Sequence, residues 1–196
     1  MLLSPRSALT RAASDDTTAH AFVIVSATSA IYAGLSAITS LITQRGYAAA
    51  AGIVSGVILG FLIVGFWYGS AVLVDRTASR MQAAPSQRRV LLAATARAYP
   101  VLAGLALLDV VEAVALNAGQ AGLAYDLGWL ALPLLIWFIG LSIVAVMAAY
   151  HTPFFTGFAL ATMPYALVSL AVIILILLVS GLSSAGVGVV LPAALR

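Results

Sequence analysis

A chain of 196 residues that is 63% hydrophobic and 8% charged, with a mean hydropathy of +1.13, cannot clothe a globular surface in water; soluble domains carry about 25% charged residues. The composition predicts an all-α integral membrane protein folded as one small helical bundle. With no cysteine, disulfides, thiolate-bound zinc, iron–sulfur centres and a thiol nucleophile are excluded. The two histidines, His20 and His151, lie far apart and outside any His-Glu-x-x-His pattern, so no metal site and no cofactor are expected. All nine basic residues are arginine, for a formal charge of +3 and a pI near 9.6. They flank apolar runs and read as determinants of topology, or as contacts for anionic lipid, rather than as nucleic-acid ligands. Arginine without lysine, with abundant Ala and Gly, points to a GC-rich bacterial genome.

In chain order, residues 1–20 carry Arg6 and Arg11 followed at once by Asp15 and Asp16. The apolar run that follows is too long for the core of a cleaved signal, which predicts a true span over 21–43. Arg45, Gly46 and Tyr47 make a tight turn into a second span over 48–74, which closes on Phe66, Trp67 and Tyr68. Residues 75–97 hold Asp75, Arg76, Arg80, Pro85, Arg88, Arg89 and Arg97, and are expected to be the main extramembrane loop. Its second half, 90–98, reads as a short interfacial helix. The third span, 99–117, is the least apolar because it contains Asp109 and Glu112. A short link leads to a fourth span over 129–150 with Pro133 near its start, and His151-Thr152-Pro153 breaks it. The fifth covers 158–180 with Pro164 early, and 181–196 is a small-residue tail ending in Arg196.

Five spans place the termini on opposite sides. With the N-terminus inside, Arg6, Arg11, Arg76, Arg80, Arg88, Arg89 and Arg97 fall inside and only Arg45 and Arg196 outside. The positive-inside rule therefore predicts a cytoplasmic N-terminus and Arg-rich loop, and a C-terminus outside the cell membrane. If 99–117 only dips into the bilayer, the C-terminus moves inside.

This arrangement resembles the YIP1 family. Leu3-Ser4-Pro5-Arg6 looks like the proline that precedes that family's first span, and Arg97-Ala98-Tyr99-Pro100 like the Tyr-Pro or Leu-Pro that opens its third. Trp137 followed by Gly140-Leu141, a short break and an alanine-bearing fifth helix is similar to its last hairpin. The resemblance covers most of residues 1–180 and implies the five-helix architecture with its loop after the second helix. Eukaryotic members are linked to vesicle trafficking and bind prenylated small GTPases through N-terminal regions far longer than the twenty residues here. The likeness therefore implies little about activity.

Three groups of residues stand out. Asp109 and Glu112, spaced i,i+3, share one face of their helix. Counted from Arg97 at about 1.5 Å per residue, they lie roughly 18 and 22 Å into a hydrocarbon core about 30 Å thick. A carboxylate at mid-helix costs about 2.5–3.5 kcal/mol to insert and normally faces the bundle interior or a water-filled cavity. It can relay protons or cations, anchor a partner helix, or be satisfied by hydroxyls within the bundle. Gly52, Gly56 and Gly60 repeat every four residues, a small-residue seam suited to close packing with the first span or in a homodimer. Arg76, Arg80, Arg88 and Arg89 form the basic cluster, for retention of the loop or contact with lipid headgroups or an acidic partner.

There is no Gly-x-Ser-x-Gly, P-loop or dinucleotide-binding glycine run, and catalysis is not expected. The reading is a non-catalytic membrane protein, a scaffold or accessory subunit that organises lipids, a partner membrane protein or a homo-oligomer. The alternative is a small oligomeric transporter or channel subunit that passes protons or cations by way of Asp109 and Glu112.

Overall fold

The computed structural model describes residues 18–44, 46–82 and 86–184, and all of their regular structure is helical. The N-terminal piece with Arg6 and Arg11, together with Arg45, Pro85 and the end of the tail with Arg196, lies outside the described residues. Among the described residues seven helices follow one another: α1 (Thr18–Thr43), α2 (Tyr47–Gln82), α3 (Arg88–Ala96), α4 (Pro100–Asn117), α5 (Ala121–Gly128), α6 (Ala131–Tyr150) and α7 (Phe154–Ser184). They make five membrane-length units, because α3 with α4 and α5 with α6 each form a 30-residue path broken once. Each unit is long and apolar enough to cross a bilayer, so the chain is an all-α, five-span bundle of the multi-pass membrane type.

Proline makes both breaks. Pro100 has no N–H to offer the carbonyl of Ala96, and the backbone tightens around it: the N–H groups of Ala98, Tyr99, Val101 and Leu102 each bond three residues back, at 2.8–3.3 Å. At the second break the N–H of Leu132 takes the Trp129 carbonyl at 3.3 Å, the acceptor that Pro133 cannot serve. In α7, Pro164 instead lies inside a continuous helix. His151 ends α6 in the left-handed conformation, φ 52°, and turns the chain back into α7.

Residues 75–97, expected as an extramembrane loop whose second half forms a short interfacial helix, are mostly helix in both halves. α2 continues through Asp75, Arg76 and Arg80 to Gln82, and α3 begins at Arg88. Nor does α3 lie along a surface: Leu91, Leu92, Ala93, Ala94 and Ala96 are buried against α1, α2 and α6. Its arginines cluster at the N-terminal end, leaving a small apolar body that packs like any core helix. The expected link after Asn117 likewise contains α5, which packs on α4.

The buried residues gather toward one end. Ala21 and Val25 of α1, Trp67 to Ala78 of α2, nearly all of α3, Phe138 to Tyr150 of α6 and Leu160–Ala161 of α7 form a contiguous core. This is the end that carries the four arginines of the basic cluster. Toward the opposite end the helices separate. Phe61, Ile136 and every residue from 166 to 177 are exposed to the surroundings of a single chain. The α1–α2 hairpin stays closed there, because Gly52, Gly56 and Gly60 all face α1, and α4 keeps an extensive contact with α1. A Cβ on Gly56 would come within 3.1 Å of the Ser36 Cβ, and one on Gly60 within 3.2 Å of the Ala33 Cβ. The Ser29 hydroxyl donates to the Gly60 carbonyl across this seam. Gly65 and Gly69 touch nothing. Replacing Gly56 by valine is expected to cost about 1–3 kcal/mol through overpacking. Gly65→Ala should be neutral or stabilising by up to about 1 kcal/mol. Thermal unfolding of the two variants in detergent checks the difference.

Candidate functional site

α4 leaves the core at Tyr99, whose ring meets Phe138 edge-on at 5.5 Å, and runs toward the open end. Asp109, nine residues beyond Pro100, therefore stands roughly 13 Å along the helix, in the separated half. It is exposed on the outer surface of the bundle rather than turned into it. Glu112 is half-buried, its Oε2 3.8 Å from where a Cβ on Gly128 would sit, so the missing side chain of α5 makes room for this carboxylate. The nearest charge acting on Asp109 is Glu112, and among the described residues no side chain donates a hydrogen bond to either. The pair is together, as its spacing requires, but the hydroxyls that might have satisfied it are elsewhere.

Hydroxyls and an acid do meet at the opposite, basic end. Asp75, 7% exposed, is held between three elements. The Ser86 hydroxyl donates to its Oδ2 at 2.6 Å, the backbone N–H of Gln87 donates to Oδ1 at 2.9 Å, and the Tyr150 hydroxyl donates to Oδ1 as well. Arg88 adds its positive charge to the same carboxylate. Gln87 is the N-cap position of α3 and its own side chain caps nothing. Asp75 therefore supplies from α2 the oxygen that a local Ser or Asp would normally give to a helix N-terminus. The same oxygen ties down the C-terminal residue of α6.

Sequence reasoning left Asp75 in the loop and missed this cluster. Tyr150 is 75 residues away, too far for any spacing signal. The available hint was the Pro85-Ser86-Gln87-Arg88 start of a helix without a good N-cap, downstream of a lone acid at the end of an apolar run. Arg76, Arg80, Arg88 and Arg89 are all exposed around the cluster, and His151 is exposed beside it in sequence. No group of three His, Asp or Glu side chains comes together among the described residues.

No family model matches the chain, and no curated protein or solved structure matches it either. The class is thus defined by its fold: a polytopic α-helical membrane bundle with one buried, hydrogen-bonded aspartate near its basic end and an acidic pair toward its open end. The likeness to the YIP1 family rests on the sequence features quoted for it.

Asp75→Ala strands three donors and is expected to destabilise the bundle by roughly 1–3 kcal/mol. Tyr150→Phe should cost about 1 kcal/mol, and the double variant less than the sum of the two, with a coupling of about 0.5–3 kcal/mol. A denaturation cycle on the four proteins in one detergent reads that coupling directly.

Proposed function

We propose that this chain is a small transporter or channel subunit that works as an oligomer, with Asp109 and Glu112 at the faces where copies meet, passing protons or cations. The observation that carries this reading is the exposure of Asp109 on the outside of a single bundle, with no donor among the described residues. A carboxylate in that position is expensive against lipid and becomes acceptable in a water-lined or partner-lined interface. The open half of the bundle favours the same arrangement, because its exposed helix faces offer neighbouring copies a place to pack. The arginine distribution supports a cytoplasmic basic end and a cell-membrane location, with Arg76, Arg80, Arg88 and Arg89 facing anionic headgroups.

A second reading keeps the YIP1-like architecture and makes the acidic pair a recognition point for a different membrane protein, with this chain a non-catalytic scaffold. It is favoured by the same unsatisfied carboxylates, and the two readings differ in what the purified protein does alone. Reconstituted in liposomes with a pH gradient or a cation gradient, the pure protein is expected to dissipate one of them faster than empty vesicles do. Asp109→Asn, at equal incorporation and with unchanged unfolding, should reduce that flux roughly tenfold or more if the acid lies in the path. Crosslinking in the same vesicles should return a closed oligomer. A monomer without flux, together with a stoichiometric partner that co-purifies with wild type and is lost in Asp109→Asn, would establish the scaffold reading instead.

A further inference from the structure

A cavity of about 30 Å³ lies inside the core where α2, α3, α6 and α7 converge. Ser70, Thr95, Tyr99, Ser142 and Tyr165 bring five hydroxyls to its wall, and Pro164 closes one side. Space of this size admits one or two water molecules, which need about 10–15 Å³ each by the same measure, and no organic ligand.

The wall has a definite hydrogen-bonding character. The Ser70 hydroxyl donates to the Trp67 carbonyl at 2.9 Å, that of Ser142 to the Phe138 carbonyl at 2.9 Å, and that of Thr95 to the Leu91 carbonyl at 2.8 Å. The Tyr99 hydroxyl lies near Ser70, and that of Tyr165 near Ser142. Each serine and threonine proton is therefore committed to its own helix. The Thr95 oxygen also accepts the Trp67 indole N–H at 3.1 Å, which leaves the free lone pairs of Ser70 and Ser142 and the two tyrosine hydroxyls toward the cavity. Pro164, on the wall, has no N–H for the carbonyl of Leu160 one turn back in α7. A site rich in acceptors calls for a small donor with two protons, or for a cation. A cation would be buried with no counter-charge, because no carboxylate lines the cavity.

We propose that this cavity is a binding site for ordered water, one or two molecules that donate to the facing hydroxyl oxygens and join the four helices. The site stands apart from the acidic pair and does not depend on transport.

X-ray hydroxyl-radical labelling of the full-length protein in detergent, read by mass spectrometry, tests it without any variant. Held water generates radicals in place, so Tyr99 or Tyr165 should take up label about as readily as exposed Tyr125. Phe138, buried against both rings but outside the cavity wall, should stay unlabelled after correction for intrinsic reactivity. When the sample is mixed with oxygen-18 water just before the pulse, label on the two tyrosines should still carry ordinary oxygen while label on Tyr125 carries oxygen-18. Tyr99 and Tyr165 both as inert as Phe138 would overturn the proposal. So would oxygen-18 on them to the same extent as on Tyr125, which would mean bulk solvent reaching the rings by local opening.

Discussion

Between helices in a bilayer there is no hydrophobic drive comparable to that in water, since lipid tails are as apolar as leucine. Close packing and polar contacts must do the holding. In this chain the densest such contact is the carboxylate of Asp75, which receives Ser86, the Gln87 N–H and Tyr150. It joins a point late in α2 to the first residue before α3 and to the last residue of α6. Those are three helix ends that share no short connection except the turn between α2 and α3. With them fixed, α3 is trapped in the centre, and the core from Trp67 to Ala161 closes around it. Arg88 keeps the acid in a favourable field, which explains why a basic cluster and a buried acid coexist within one turn of a helix start.

A structure fastened at one end leaves the other free to differ, and the prolines use that freedom. Pro100 and Pro133 each lie at a turn of three-residue hydrogen bonding and so redirect a span. The bends carry α4, α5 and the start of α6 away from α7. The α1–α2 seam stays closed, because glycine at every fourth residue from 52 to 60 lets the backbones touch, and α4 remains packed on α1. The two halves therefore have different jobs: one supplies stability, and the other supplies surface.

Hydropathy made the five spans readable because twenty apolar residues have few other fates, and the glycine repeat was readable because its period matches a helix face. The stretch 75–97 was harder. Charge density there suggested a loop, yet the arginines occupy the exposed sides of two helix ends while Asp75, Leu91 and Leu92 point inward. Periodicity over nine residues is too short to separate a core helix from an interfacial one. The orientation of Asp109 was not legible either. Within α4, residues 106 and 113 are buried and 109 is exposed, but which side of an almost uniformly apolar helix meets its neighbours depends on the kinks at Pro100 and Pro133, and those are tertiary facts.

The place of Asp109 along α4 sharpens the question of what covers it. From Arg97 to Asp109 is roughly 18 Å of helix, and from Asp109 to Asn117 roughly 12 Å. Together these match the about 30 Å of a hydrocarbon core. With the core placed between Arg97 and Asn117 the acid would stand more than two turns from either boundary, and an aspartate has one methylene with which to reach toward water, where an arginine has three. Tilting the helix moves both boundaries and does not remove the problem, since gaining depth on one side loses it on the other. Glu112 cannot help, being of the same charge and half-covered by α5. A penalty of about 2.5–3.5 kcal/mol is a large fraction of the 5–15 kcal/mol by which folded proteins are stable. Among the described residues nothing in the packing recovers it, because Asp109 is exposed on the side of α4 away from its buried residues 106 and 113. The residue makes physical sense once something with donors or water lies against that face, which ties the surface left open by the prolines to the acid placed upon it.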